Sequence, residues 1–562
     1  MMCTSSRCAV TVALAATLLA LVTAGVADAE SKFPIATGTA EGQLSLGHVA
    51  FDGTNYLVGI QGDATGHSSV GAQLVSQSGT LVGSLISTGR TGGAPGAGFD
   101  GTNYLLVWSD DGTTPQNQIY GQRISPSGSL VGAPFQIGPT SGGQELTGGT
   151  FDGTNFLILW RCSTPGDTCA GIYGQLVAPS GALVGPVITV SDSARKDARI
   201  AFDGSNYLVI WHGAGAAVDM VFGRFVSPAG TLPAPAFVIN ASPAPSDNPP
   251  AIAFGGTNYL VVWPDELGGS GSGEWHLFGQ LVTPTGALSG GVIAISTAAG
   301  AEYFPSTAFD GKNYLVTWTN FTCNPPEGTC ADVYGQYFSK CGTAVSFAFP
   351  VAAGPGSQLL SAATFAVGQY LVTWNDGATF SQGDVTGRDV YGTFLAPAPV
   401  GCVGDCGRDG RMTVDEILTM VNVALGNTTL CACETGDANA DGQITIDEIL
   451  RAVNNALTGC PVPTATGTWD CISSTPGTTV VMTLVQSDSN ITGSEVTSDG
   501  YTFTITGSIS GLSLAVTGVP SNGGGSGWTS IGTMSADGNS MISSWSTSDG
   551  KDSGTGSCVK RQ

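Results

Sequence analysis

The strongest pattern along the chain is a short segment in which a polar turn is followed by a run of apolar residues. It reads FDGTNYLVGI from Phe51. Asp-Gly and Asn are turn residues, and an apolar run of this length is typical of a strand that is covered on both faces. Related segments begin at Phe99, Phe151, Phe202, Phe254, Phe309 and, in the most divergent form, Phe365. We number these seven copies one to seven; each predicts a turn followed by a buried strand.

Further strand signals recur inside the copies. IYGQRISPSG from Ile119 contains a strand and a tight turn, and PFQI from Pro134 predicts one strand more. One copy of roughly 50 residues therefore suits a four-stranded antiparallel blade. A single small sheet cannot bury both faces, but sheets arranged around an axis can, as in a β-propeller. The fold class predicted from the repeats is mainly β, with a seven-bladed β-propeller over residues 30–400.

The two ends of this region predict how the ring closes. Copy seven stops at FLAPAP without a last strand. Phe33 and Ile35, near the start of the chain, match Phe349 and Val351 in the last strand of copy six. Because a ring must hide its strand edges, we expect the N-terminal strand to complete copy seven.

The first 29 residues predict a signal peptide. Arg7 precedes a long apolar run, and Ala27-Asp28-Ala29 has the form of a cleavage site. No later run reaches about 18 apolar residues, so no membrane span is expected. The net charge is −24 and only 18 residues are basic, which leaves no basic face for a nucleic acid. These features favour a secreted or extracellular protein, with the periplasm or the cell surface as alternatives.

Cysteine usage fits the same compartment, because an even number of cysteines in an exported chain favours disulfides. Two local pairs follow a repeat Trp in matching loops, Cys162–Cys169 and Cys323–Cys330. The sequence does not decide how six further cysteines pair: Cys341, Cys402, Cys406, Cys431, Cys433 and Cys460.

The propeller sequence contains no recognisable catalytic grouping, because its four His are scattered. The Asp of each FDG segment is expected to cap its turn rather than to join a ring of carboxylates. One loop collects acidic and aromatic residues, and it predicts either a solvated loop or a sugar-binding or acidic site. Its residues are Asp265, Glu266, Glu274, Trp275 and His276.

Two calcium loops are predicted after residue 400. DANADGQITIDE from Asp437 matches the EF-hand pattern without a gap. Its predicted ligands are Asp437, Asn439, Asp441, Gln443 through its carbonyl, Thr445 and Glu448. In DCGRDGRMTVDE the predicted ligands are Asp405, Asp409, Arg411 through its carbonyl, Thr413 and Glu416. Gly407 at the third position supplies no side-chain oxygen, so this first loop should bind Ca²⁺ more weakly.

A helix that ends at a Gly is predicted after each loop. The paired loop-plus-helix unit over residues 402–460 resembles a dockerin-type module. The resemblance implies a small α-helical calcium-binding module over 401–461 that binds a cohesin-like or surface protein and attaches the chain to polysaccharide-degrading assemblies. The chain differs from that family at Glu416 and Glu448, where dockerins usually carry Asp.

The last hundred residues, 462–562, alternate strand and turn signals. A small antiparallel β-barrel is predicted there, with Cys471 and Cys558 tying the first strand to the last. Its outline is similar to lipocalin- and avidin-like barrels.

Together these features favour a secreted, non-catalytic, calcium-binding modular protein whose propeller binds a glycan, another ligand or a protein. One alternative is an extracellular carbohydrate-active enzyme of the glycoside hydrolase kind that is attached through a dockerin. A second alternative is a structural surface or adhesion protein.

Overall fold

The computed structural model describes most of the chain beyond residue 31 in segments. They are residues 32–37, 49–62, 69–111, 117–139, 142–162, 171–192, 194–214, 219–241, 248–266, 275–297, 300–321, 331–353, 357–377, 389–398, 402–460, 464–473, 479–487, 489–510, 513–521, 526–534, 540–548 and 553–561. The predicted signal peptide lies outside these residues.

The repeats form a propeller-like ring of antiparallel sheets. One seven-stranded sheet contains β2 (Ala50–Phe51), β3 (Asn55–Gln61), β4 (Ser69–Ser76), β5 (Leu81–Phe99), β6 (Tyr104–Asp110), β7 (Gln118–Ile124) and β8 (Leu130–Gln136). A four-stranded sheet follows with β9 (Gln144–Phe151), β10 (Phe156–Cys162), β11 (Ile172–Val177) and β12 (Leu183–Ser191). The next has β13 (Ala194–Phe202), β14 (Tyr207–Ala214), β15 (Asp219–Val226) and β16 (Phe237–Ala241).

Three further four-stranded sheets complete the ring. The first has β17 (Ala251–Phe254), β18 (Tyr259–Glu266), β19 (Trp275–Val282) and β20 (Leu288–Ser296). The second has β21 (Ala301–Phe309), β22 (Asn313–Phe321), β23 (Asp332–Ser339) and β24 (Phe349–Ala352). The last has β25 (Ser357–Ala366), β26 (Gln369–Gly377) and β27 (Asp389–Leu395), with β1 (Phe33–Ala36) added at its edge.

The mainly β fold is confirmed, but the expected seven separate blades are not. Five sheets are four-stranded blades, while copies one and two share the seven-stranded sheet. The reason is that β5 continues from one copy into the next. Its first part, Leu81 to Thr91, pairs with β4, and its second part, Gly92 to Phe99, pairs with β6.

Apolar clusters hold each copy against the next. The Trp and Tyr of the repeated segment are buried, as expected for residues that pack between sheets. Eleven of them are at most 1% exposed: Tyr56, Tyr104, Trp108, Trp160, Tyr207, Tyr259, Trp263, Tyr314, Trp318, Tyr370 and Trp374. One cluster joins the first sheet to the last and combines Ile35, Tyr56, Val58, Leu371 and Val390. The core is therefore continuous from the last copy to the first.

The N-terminal strand completes copy seven, and this confirms the expectation from the sequence. Phe33 pairs with Gly392 and Ala36 with Val390. A Cβ atom on Gly392 would lie 3.0 Å from both Ile35 and Phe33, and one on Gly79 would overlap the Phe33 ring. Phe135 packs in the same way against Gly121 and Gly181. β1 thus takes the place that a fourth strand takes in other copies.

The module after the ring is small and helical. It contains α1 (Val414–Ala424) and α2 (Ile446–Thr458), with short 3₁₀ turns at Leu430–Ala432 and Glu434–Gly436. Its disulfides are Cys402–Cys460 and Cys406–Cys433, and Cys341–Cys431 joins it to the ring. Neither helix of this module, nor any other helix in the described residues, is long and apolar enough to span a membrane.

The C-terminal region forms a closed eight-stranded barrel, as predicted. Its strands are β28 (Gly467–Ser473), β29 (Thr479–Ser487), β30 (Asn490–Thr497), β31 (Thr502–Ser510), β32 (Ser513–Pro520), β33 (Trp528–Met534), β34 (Ser540–Thr547) and β35 (Ser553–Lys560). Cys471 and Cys558 are paired opposite each other on β28 and β35 and form the predicted disulfide. Cys162 is also disulfide-bonded. Its predicted partner Cys169 and the predicted pair Cys323–Cys330 lie outside the described residues.

Candidate functional site

The aspartates of the repeated turns act as turn caps. In copy one, Asp52 Oδ1 accepts hydrogen bonds from the backbone N–H groups of Thr54 and Asn55, both at 2.7 Å. The same pair of hydrogen bonds forms around Asp100, Asp152, Asp203 and Asp310. Each carboxylate satisfies its own backbone, so the expectation that these residues cap turns is confirmed.

The acidic loop predicted in copy five is largely drawn into the sheet. Asp265 and Glu266 end β18 and pair with His276 and Trp275 at the start of β19. Glu266 and His276 are buried, whereas Trp275 is half-buried. Glu274 lies outside the described residues. The polar groups of this loop therefore form part of the interface between copies five and six.

A half-buried aromatic surface lies beside these residues. The Tyr303 ring is 5.7 Å from the Trp275 ring and 5.6 Å from the Phe321 ring, measured between centroids. Burial, and then the Glu266 carboxylate, raise the pKa of Tyr303. We call Trp275, Tyr303 and Phe321 the aromatic cluster. Partly exposed rings next to polar groups are a common lining of ligand sites.

Glu302 is the ring residue that sequence reasoning missed. Its side chain is completely buried, and Ser296 Oγ donates a hydrogen bond of 2.5 Å to its Oε1 atom. Burial raises the pKa of Glu302 to about 7, although the hydrogen bond from Ser296 acts in the opposite direction. His276 Nδ1 lies 3.8 Å from Oε2.

The surroundings of Glu302 identify it as a structural group. Gln144 in copy three occupies the equivalent position, seven residues before the Phe of the turn segment. Gln144 Oε1 accepts a hydrogen bond from the Ile119 N–H, and the backbone of Leu277, which is the equivalent of Ile119, acts on the pKa of Glu302. A signal was therefore present in the alignment of the copies: a Glu stands where another copy has a Gln that joins neighbouring sheets.

The two predicted calcium loops share one hydrogen-bond pattern. In the second loop, Asp437 Oδ1 accepts the N–H of Asp441 at 3.0 Å and Oδ2 accepts that of Gly442 at 2.9 Å. Glu448 closes the loop, because Oε1 accepts the Ala438 N–H and Oε2 accepts the Thr445 N–H, both at 2.8 Å. The predicted ligand residues of this loop are thus brought around a common turn.

The first loop repeats this arrangement. Asp405 accepts the N–H groups of Asp409 and Gly410 at 3.1 and 2.8 Å. Glu416 accepts those of Gly407 and Thr413 at 3.0 and 2.8 Å. The other predicted ligands sit at matching loop positions: Arg411, whose N–H bonds Asp409, corresponds to Gln443, whose N–H bonds Asp441.

The backbone of both loops fits a calcium loop. The fourth and sixth positions are left-handed, at Ala440 (φ 60°) and Gly442 (φ 88°) and at Arg408 (φ 55°) and Gly410 (φ 78°). The sharp turn at the sixth position is the one that an EF-hand loop requires. In the part of the chain that the structure describes, however, no three His, Cys, Asp or Glu side chains are grouped so that they could hold a metal ion. The carboxylates accept backbone N–H groups instead, and the predicted Ca²⁺ ligation stays a prediction.

Comparisons with known proteins do not assign the chain to a family. No family model and no curated protein matches it. Among solved structures, it is similar to a subtype N10 neuraminidase-like protein of A/little yellow-shouldered bat/Guatemala/060/2010, with 10% identity, a TM-score of 0.33 and coverage of 66% of this chain and 99% of that one. For the phage phi92 endosialidase the identity is 10%, the TM-score 0.39 and the coverage 66% and 69%. Xylan beta-1,4-xylosidase from Bacillus halodurans has 9% identity and a TM-score of 0.30, with coverage of 65% of this chain and 91% of that one. At TM-scores this low, the three structures say nothing about what this chain binds or catalyses.

Proposed function

We propose that this chain is an exported, non-catalytic calcium-binding protein whose propeller-like ring presents a ligand-binding surface. The matching hydrogen-bond pattern of the two loops, 405–416 and 437–448, is the observation that carries the proposal. Two loops that share this order of backbone N–H donors, with left-handed backbone at the fourth and sixth positions, are expected of a paired EF-hand unit. The four disulfides that join described cysteines support an oxidising compartment outside the cytosol.

Ca²⁺ binding is expected to require small side-chain rotations. The side-chain oxygens of Asp437, Asn439, Asp441 and Glu448 and the carbonyl of Gln443 would hold the ion in the second loop, with Thr445 contributing through water. Asp405, Asp409, Thr413, Glu416 and the Arg411 carbonyl would do so in the first. Gly407 leaves the first loop one ligand short, so it should have the lower affinity.

Calcium titration of the full-length chain tests this proposal. Isothermal titration calorimetry should detect two sites, and Glu448→Gln should weaken the tighter one by at least about tenfold, because it removes one anionic oxygen of a bidentate ligand. Glu416→Gln should weaken the other. Glu145→Gln, which removes a partly exposed ring carboxylate that pairs with Arg161, is the matched control. A chain that takes up no Ca²⁺ at millimolar concentration would refute the proposal.

The helices of the module supply a surface for a protein partner. Val414, Leu418 and Leu425 on and just after α1 are exposed, and so are Ile446, Leu450 and Leu457 on α2. The two sets occupy equivalent positions in the two halves of the module. Exposed apolar rows of this kind suit a protein interface, and a cohesin-like or surface protein is the partner we propose. Pull-down with a panel of cohesin domains, comparing the parent chain with Leu418→Ala and Leu450→Ala, tests it.

The aromatic cluster is the proposed glycan-binding surface of the ring. Trp275 and Tyr303 present half-buried ring faces next to Glu266, which suits a ligand with apolar ring faces and hydroxyl groups. A glycan-array screen of the full-length chain should show binding that Trp275→Ala abolishes and that Tyr501→Ala, on the barrel, leaves unchanged. Loss of binding in both variants, or in neither, would contradict this assignment.

A further inference from the structure

Copy six differs from the other copies at positions that face the calcium module. The tight turn after its third strand reads Ser339-Lys340-Cys341-Gly342, whereas copies two to five carry Pro at the second position and Ser, Ala or Thr at the third. In the FDG-x-N segment, copy six has Lys312 where the other FDG and FGG segments have Thr or Ser. The turn itself is unchanged, because Gly342 N–H still donates to the Ser339 carbonyl, at 2.9 Å.

Each of these substitutions makes or approaches a contact with the module. Lys340 Nζ lies 3.1 Å from Asp437 Oδ2, and the two side chains are only 12% and 1% exposed. Cys341 forms the disulfide with Cys431, and its N–H donates to Glu434 Oε1 at 3.3 Å. Lys312 is half-buried and adds positive charge near Asp437 and Glu434. The departures of copy six thus form one docking surface.

Lys340 binds the first residue of the second calcium loop. Asp437 Oδ2 accepts the Lys340 ammonium in addition to the Gly442 N–H, while Oδ1 accepts the Asp441 N–H. The corresponding residue of the first loop, Asp405, accepts only backbone N–H groups among the described contacts. The loop that matches the calcium pattern best is therefore the one whose charge is already partly neutralised by the ring.

We infer that Lys340 sets the calcium affinity of the second loop and couples it to the docking of the module on the ring. The inference rests on the proposed calcium binding. A Ca²⁺ ion at the loop centre and the Lys340 ammonium share the Asp437 carboxylate, and two like charges this close in a buried contact repel each other strongly. The ammonium consequently lowers Ca²⁺ affinity, and Ca²⁺ weakens the Lys340–Asp437 ion pair by the same factor, since such coupling is reciprocal. The Cys341–Cys431 disulfide keeps the module at the ring while the ion pair exchanges.

The charged groups around the Lys340–Asp437 ion pair also support a lowered Ca²⁺ affinity. Lys312 adds a second positive charge on the ring side, and Arg408 of the module lies 3.7 Å from Glu434. Lys340, Lys312 and Arg408 together oppose a divalent cation at Asp437, and Glu434 and Asp310 are acidic groups that partly offset them. Removing one of the lysines should therefore tighten Ca²⁺ binding rather than loosen it.

The test measures Ca²⁺ affinity by calorimetry in full-length chains that all carry Glu416→Gln, so that the second loop dominates. Lys340→Gln removes the charge, and Lys340→Pro does so with the residue that copies two to five carry in this turn. Both should lower the dissociation constant by about tenfold or more. Lys32→Gln is the matched control, because Lys32 pairs with Asp376 at 3.3 Å on the ring, and it should leave the constant unchanged.

The possible results separate the two proposals. An unchanged or higher dissociation constant in both Lys340 variants would overturn the inference and leave calcium binding standing. When the chain without substitutions binds Ca²⁺, uptake by the second loop that is detected in the Glu416→Gln background only after Lys340 is replaced would also support the inference. If neither the parent nor any variant takes up Ca²⁺, the proposed calcium binding and the inference both fall.

Discussion

The Tyr104 hydroxyl donates a 2.7 Å hydrogen bond to the backbone carbonyl of Asn55, which belongs to the preceding copy of the repeat. The same contact joins Tyr207 to Asn155, Tyr259 to Asn206, Tyr314 to Asn258 and Tyr370 to Asn313. The Tyr56 hydroxyl closes the series with a 3.4 Å contact to the carbonyl of Ala366 in copy seven. The repeated FDGTNY segment therefore serves architecture: its Asp caps a turn, its Asn carbonyl accepts a hydrogen bond, and its Tyr donates one to the copy before.

Replacing Tyr104 with Phe should destabilise the ring by about 1–2 kcal/mol, because the Asn55 carbonyl would lose a partner in a partly buried position. The urea midpoint of the ring transition measures the effect. Copy three already carries Phe156 at the equivalent position. Phe156→Tyr is therefore the reverse change. It should not destabilise the ring, because its hydroxyl is expected to donate to the Asn103 carbonyl. Tyr501→Phe, at an exposed site on the barrel, should have no effect. Equal losses in Tyr104→Phe and Tyr501→Phe would contradict this role.

Local chemistry made these parts of the fold predictable from sequence. Asp52 caps a turn that it forms with its own neighbours, so the segment alone carries the information. The fit of Ile35 to copy seven could also be found, because it matches a strand pattern repeated along the chain. By the same logic, Cys471 and Cys558 were expected to meet, since a closed barrel brings its first and last strands together.

The features that sequence reasoning missed depend on contacts between distant segments. Lys340 and Asp437 are 97 residues apart, and nothing local indicates that a turn of the ring contacts the loop 437–448. The pairing of Cys341 with Cys431 was open for the same reason. The continuity of β5 was missed because a Gly-rich link can either turn or remain extended. Glu302 is buried by Ser296 and Leu277 of the preceding copy, so its raised pKa is a property of the assembled ring.

Stability of the ring should depend on pH through Glu302. Its pKa rises from an ordinary value of 4.5 to about 7 in the folded protein. The protonated form is favoured by folding, so the full stability is present below pH 4.5 and is lost as the pH rises through 7. The loss should approach about 3 kcal/mol above pH 7. Unfolding by urea at pH 5 and pH 8 measures it.

The variant Glu302→Gln should remove most of this pH dependence, because a neutral Gln occupies the equivalent place at Gln144. It should match the parent near pH 4.5 and be more stable at pH 8. Glu145→Gln, at a partly exposed carboxylate, should leave the dependence of the unfolding free energy on pH the same as in the parent. A parent chain whose stability stays level between pH 5 and pH 8 would show that Glu302 ionises at its ordinary pKa.

The Cys471–Cys558 disulfide should be a large contributor to barrel stability. It closes a segment with a sequence separation of 87 residues, and cross-links over long loops restrict the unfolded chain most. Replacing both cysteines with Ser should lower the free energy of unfolding of the barrel by about 4 kcal/mol. Scanning calorimetry should show the barrel transition moving to lower temperature while the ring transition stays in place. A simultaneous shift of both transitions would mean that ring and barrel unfold as one unit.

Ring closure through the N-terminal strand can be tested at Ile35. Its side chain is 2% exposed and lies in the cluster that joins the last sheet to the first. Ile35→Ala should cost about 2–4 kcal/mol, as expected for a large-to-small change in a core. Ile531→Ala makes the same chemical change at a barrel position that is 68% exposed, and should cost almost nothing. Limited proteolysis should also cut the N-terminal segment faster in Ile35→Ala, because β1 is an edge strand held by one neighbour, β27. If Ile35→Ala and Ile531→Ala unfold at the same urea concentration and resist protease equally, β1 does not close the ring in solution.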